Sequence, residues 1–98
     1  MQTYILLTKL TSEFTSKLKD REELGREWLE TVKEKCPDVT FKAHYALLGQ
    51  FDFIDIYEAS DEESAAKVSM ISQANGAFQA ESLPAIPWKQ FIELVKEL

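Results

Sequence analysis

Gly49 and Gln50 do most to limit how this chain folds, because they join two strand-like runs and send the second back along the first. Residues 39–48 and 51–58 are rich in β-branched and aromatic side chains and partly alternate in polarity. A two-residue connection with glycine first is the preference of a type II′ hairpin turn. That turn sets a register in which Leu48 opposes Phe51, Ala46 opposes Phe53, His44 opposes Asp55 and Lys42 opposes Tyr57. Side chains alternate along a strand, so His44, Phe53, Asp55 and Tyr57 share one face and Ile54 and Ile56 take the other.

The remaining elements follow from periodicity and punctuation. Residues 4–10 read as a first strand, and residues 11–19 as a longer polar connection. Asp20 with Glu23 forms a capping-box pattern opening a helix. Leu24, Trp28, Val32 and Cys36 line one stripe of it, Gly25 weakens it, and Pro37 ends it. Ser60 and Glu63 predict a second helix through Ala65, Val68 and Ile71, stopped by Asn75-Gly76. Residues 78–85 read as a fourth strand, placed at an edge by Pro84. Pro87 opens a last helix with Trp88, Phe91, Ile92 and Val95 on one face. The order is βαββαβ with an extra C-terminal helix. Right-handed crossovers put both crossover helices on the same side of one four-stranded antiparallel sheet, the ferredoxin-like α+β layout.

One sheet face is then left uncovered. With Ile5, Leu7, Ile54 and Ile56 assigned to the helix-packed core, the open face carries Tyr4, Leu6, Thr8, Phe53 and Tyr57. Ala46, Leu48 and Phe51 join them near the hairpin, with His44, Asp55 and Lys42 as polar members. Such a face is too apolar to meet water without a purpose. A homodimer, or a larger assembly, is expected to bury it.

Bulk properties exclude several functions. A net charge of -6 opposes phosphate backbones and anionic membranes, so neither a nucleic acid nor a membrane is an expected partner. The single cysteine, Cys36, has no partner for an internal disulfide or a zinc cluster, and it is expected to be a buried, inert thiol. The sequence predicts no metal site and no cofactor, since it carries one histidine and no phosphate-binding glycine loop. The first residues lack a signal-peptide pattern, and no apolar stretch reaches the ~20 residues of a membrane span. A single domain over residues 1–98, in the cytoplasm, is the expectation.

Four stretches, Tyr4-Ile5-Leu6-Leu7-Thr8-Lys9-Leu10-Thr11, Leu48-Gly49-Gln50-Phe51-Asp52, Ile56-Tyr57-Glu58-Ala59 and Ala80-Glu81-Ser82-Leu83, together resemble the GYD-domain family. The Gly, aromatic or Tyr, Asp signature is matched by Gly49, Phe51 and Asp52. The resemblance implies a dimeric α+β barrel in which two sheets face each other. Related barrels include cofactor-independent monooxygenases, haem-degrading enzymes and ligand-sensing domains. This sequence departs from the pattern with Phe51 in place of the signature tyrosine, and with His44 and Asp55 at strand positions expected to be apolar or aromatic.

His44 and Asp55 are the candidate catalytic pair, with the carboxylate fixing the ring tautomer for general-base work. The bland alternative is a cross-strand polar pair. Tyr4, Thr8, Phe53 and Tyr57 are the candidate ligand contacts, tyrosine offering a large apolar body and one polar tip. Asp52 is expected to accept hydrogen bonds near the hairpin, Glu58 and Glu81 to be solvated, and Trp28 and Trp88 to sit in the core. Three functions compete. The first is a homodimeric module enclosing a small, partly apolar or aromatic ligand. The second is a cofactor-independent, monooxygenase- or isomerase-like enzyme using His44 and Asp55. The third is a purely structural self-association domain.

Overall fold

The computed structural model describes residues 1–15 and 18–98 of the chain. Its elements are β1 (Gln2–Leu10), α1 (Ser12–Thr15), a 3-10 turn (Leu18–Asp20), α2 (Arg21–Lys35), β2 (Thr40–Ala46), β3 (Phe53–Ala59), α3 (Glu62–Ala74), β4 (Ala77–Ala85) and α4 (Trp88–Lys96). The expected connection over residues 11–19 contains α1 and the start of the 3-10 turn; Ser16 and Lys17 within it lie outside the described residues. The strands form one sheet in the order β2-β3-β1-β4, with every neighbouring pair antiparallel. This is the expected ferredoxin-like α+β order, with Pro84 on an edge strand where its missing N–H costs no ladder bond.

The hairpin keeps its expected register where the site lies and loses it at both ends. Ala46 opposes Phe53 and His44 opposes Asp55. Leu48 and Phe51 do not pair; they belong to a longer loop closed by the Leu47 N–H donating to the Asp52 carbonyl at 2.8 Å. A register shift between Phe41 and Ala43 puts Phe41, not Lys42, opposite Tyr57. A bulge of this kind displaces one residue from the pleat, and Lys42 pairs with Glu58 at 3.1 Å.

Two caps differ from expectation. Asp20 closes the 3-10 turn and makes no side-chain cap bond to α2. At α3 the cap is Asp61, whose carboxylate accepts the Ser64 N–H at 2.9 Å, while Ser60 donates to Asp38. Those Ser60 bonds hold the Asp38 carboxyl down at about 2. Gly76, at a φ of 103°, ends α3 in the left-handed region that glycine tolerates.

The larger correction concerns the two faces of the sheet. Tyr4, Leu6, Thr8, Asp55 and Tyr57 are buried, and they pack with Val32, Ala65 and Val68 of the helices. Ile5, Leu7, Ile54 and Ile56 lie on the other face, together with Tyr45 and Leu83. The assignment is inverted relative to the expectation. Both alternating sets are apolar, so hydropathy could not say which the helices cover. The helix-facing set is the one whose polar tips find partners. Tyr57 Oη donates to Ser82 Oγ at 2.7 Å, and Ser69 Oγ donates to the same oxygen at 2.7 Å. Tyr4 and Tyr57 stack with ring centroids 5.5 Å apart, and burial pushes the Tyr57 phenol up to about 12.

α4 stands apart from this core. It leaves the end of β4 with Trp88 stacked on Phe91 at 5.7 Å, yet Trp88 is 73% exposed and no residue of the helix is buried. The expectation of a core Trp88 fails because the helix projects from the domain. The long axis is 49 Å and the radius of gyration 14.6 Å, against about 13 Å for a compact domain of this length.

A candidate ligand pocket under α2

α2 leans on α3 and leaves a cavity between itself and the β2–β3 half of the sheet. Trp28 fixes that spacing. Its Nε1–H donates to Ser72 Oγ on α3 at 2.8 Å, and Ser72 Oγ donates to the Val68 carbonyl at 2.9 Å. The indole also meets the Phe41 ring at 5.3 Å and stacks with His44 at 6.4 Å. The cavity measures about 480 Å³, inside the ~300–1,000 Å³ range of small-ligand sites. Thr8, Phe41, His44, Phe53 and Asp55 of the sheet form one wall, and Arg21, Leu24, Trp28 and Leu29 of α2 the other. The lining is chiefly apolar, with a few polar groups set into it.

His44 Nδ1 is hydrogen-bonded to Asp55 Oδ1, as their register requires. The Asp55 side chain is 3% exposed and the His44 side chain 57%. Burial raises the Asp55 pKa, and the charge and hydrogen bond of His44 lower it. With Nδ1 engaged, only Nε2 remains for a ligand or solvent. The His44 ring stacks on Phe53 at 5.5 Å. The pair therefore presents one oriented imidazole nitrogen at the wall of an apolar cavity.

The sequence-predicted contacts divide here. Thr8, His44, Phe53 and Asp55 line the cavity; Tyr4 and Tyr57 do not, and sit in the core beside it. Asp52 accepts the Leu10 N–H at 2.8 Å, the structural role expected of it. Glu58 pairs with Lys42, and Glu81 accepts from Gln79. Cys36 is a buried free thiol, pushed up by burial. Among the described residues no group of three or more His, Cys, Asp and Glu is placed to hold a metal ion, and no helix is long and apolar enough to cross a membrane.

Sequence reasoning missed Arg21. It lies in the first turn of α2 and lines the cavity. Its Nε is buried without a hydrogen-bond partner, its Cζ lies 5.9 Å from the Phe53 ring centroid, and its Nη2 is 4.0 Å from Asp52 Oδ1. A cation in the first turn opposes the helix dipole, and that mismatch is the signal by which the sequence could have flagged it.

Fold and site together define a small ferredoxin-like α+β domain with a ligand-sized cleft between its sheet and first long helix. A GYD domain profile matches residues 4–95, and the chain belongs to the GYD-domain family. A relative from Thermus thermophilus, named glutamine synthetase and cystathionine beta-lyase binding protein, is 30% identical over 96 residues, spanning 98% of this chain and 100% of that protein. The solved structure described as the crystal structure of FFRP-DM1 matches with a TM-score of 0.58 at 17% identity, covering 88% of this chain and 100% of that one, a likeness of fold alone.

Proposed function

We propose that this chain is a homodimeric binding module whose cavity under α2 takes a small, partly apolar molecule. The observation that carries the reading is the cavity itself. It is about 480 Å³, walled by Trp28, Phe41 and Phe53, and held open by the Trp28 to Ser72 hydrogen bond. Phe53 and Thr8 supply contact, and His44, oriented by Asp55, supplies one directional polar group. The pairing of the open sheet faces is argued from exposure. Tyr45 and Leu83 meet solvent in the single protomer on the face that carries Ile5, Leu7, Ile54 and Ile56, and Trp88 and Phe91 of α4 are exposed as well. Contiguous apolar surface of that kind marks an interaction site. The test is a titration with the neutral fluorophore N-phenyl-1-naphthylamine, run beside native mass spectrometry. One saturable site per chain on a dimer is expected. A monomer, or only weak unsaturable binding, overturns the reading.

A second reading is favoured by the name of the Thermus relative, which describes a protein that binds enzymes. Here the exposed apolar face of α4 docks on a protein partner. Deleting α4 distinguishes the two: ligand binding survives and partner capture is lost.

A further inference from the structure

We infer that the ligand of the α2 cavity carries a carboxylate, held by Arg21, with its apolar body lying between Trp28 and Phe53. This rests on the small-molecule reading above and adds the chemical class of the ligand.

Among the described residues, the fold leaves one buried side-chain donor unused. An arginine is always charged and presents five N–H donors in a planar fork. Among the described residues, Arg21 Nε is buried with no hydrogen-bond partner. Its neighbour Asp52 does not supply one. One Asp52 oxygen accepts the Leu10 N–H at 2.8 Å, and the other lies 4.0 Å from Arg21 Nη2, beyond hydrogen-bond reach. The guanidinium therefore has a charged neighbour and, among the described residues, one unfilled donor at Nε. It sits over the Phe53 ring at 5.9 Å, an arrangement that favours the cation.

Arg21 and Arg26 line the cavity, against Glu22 and Asp55. Asp55 is buried and already hydrogen-bonded to His44, so its carboxyl group is engaged within the pair. The chain's net charge of -6 is spread over its length, and beyond a Debye length of about 8 Å its field is largely screened. A bidentate carboxylate matches the fork geometry, gives Nε a partner, and leaves the rest of the ligand against Leu24, Trp28 and Phe53.

The test is calorimetry with 4-phenylbutanoate and its neutral analogue 4-phenylbutanamide. The dimer is titrated at pH 7.5 and low salt, as wild type, Arg21→Gln and Arg21→Lys. Wild type is expected to bind the acid at least tenfold more tightly than the amide. Arg21→Gln should bring the two within twofold. Arg21→Lys, which keeps the charge without the fork, should retain about a threefold preference and serves as the readout where the glutamine variant does not fold. A wild type that treats acid and amide alike, or variants that keep the full preference, overturns the carboxylate assignment and leaves the cavity reading standing. Binding of neither compound to wild type overturns the cavity reading and this inference with it.

Discussion

The assignment of sheet faces can be tested by one chemical change made on either side of the pleat. Leu6 and Leu83 lie on adjacent strands, β1 and β4, and point to opposite faces. Leu6 is 0% exposed within the helix-covered core and Leu83 is 46% exposed on the open face. Truncation to alanine removes three carbons in each case, worth about 2.4 kcal/mol of transfer free energy at ~0.8 kcal/mol per carbon. For Leu6→Ala the whole of that is lost from protomer stability, and a residual cavity brings the cost to about 3 kcal/mol. Leu6→Ala should leave self-association of the folded chain untouched. For Leu83→Ala, the exposed 46% is what a second copy can still cover. That share is about 1.1 kcal/mol per protomer and about 2.2 kcal/mol across the two-fold, roughly a 40-fold rise in dimer Kd. The remainder, about 1.3 kcal/mol, comes off the protomer. Urea denaturation at low concentration measures the first quantity, and sedimentation equilibrium the second. The reverse pattern, with Leu6→Ala weakening association and Leu83→Ala unfolding the chain, would refute both the face assignment and the proposed seam.

Three further outcomes follow from single residues. The Asp38 carboxyl, held at about 2 by Ser60, has a folded pKa below its unfolded value of ~3.9. Its contribution is therefore present above the unfolded pKa and lost as pH falls through about 2, so Asp38→Asn should flatten the acid limb of a stability–pH profile between those values. Gly25 is exposed on α2, and an added Cβ would meet nothing within 4 Å. Gly25→Ala should thus stabilise the helix by about 1 kcal/mol and raise Tm by about 4–8 °C in a calorimetric scan. Cys36, buried with its thiol pushed up, should react with an aromatic disulfide reagent only at the rate of unfolding; rapid labelling of native protein would contradict its placement.

The parts of this protein legible in the sequence were those set by local chemistry. Glycine and proline mark the ends of the helices, and strand runs separated by helical stripes give the βαββαβ order. The opposition of His44 and Asp55 was legible because the chain reversal fixes which residues face each other; their hydrogen bond was not, since a bulge near the turn would have sent them to opposite faces. Arg21 was not singled out in the sequence, and its place in the cavity wall emerges only from the fold.

What the amino-acid sequence determined by itself is therefore the succession of elements, the antiparallel pairing of β2 with β3, and the polar pair set in the strands. Only the tertiary structure decided which sheet face the helices cover, and with it that Tyr4 and Tyr57 belong to the core while Ile54 and Ile56 face outward. The physical reason is that both faces of this sheet are apolar. Hydropathy is then equal on the two sides, and the choice falls to long-range partners: a serine beneath a tyrosine hydroxyl, and an indole bonded across to α3, which holds open the space beneath α2.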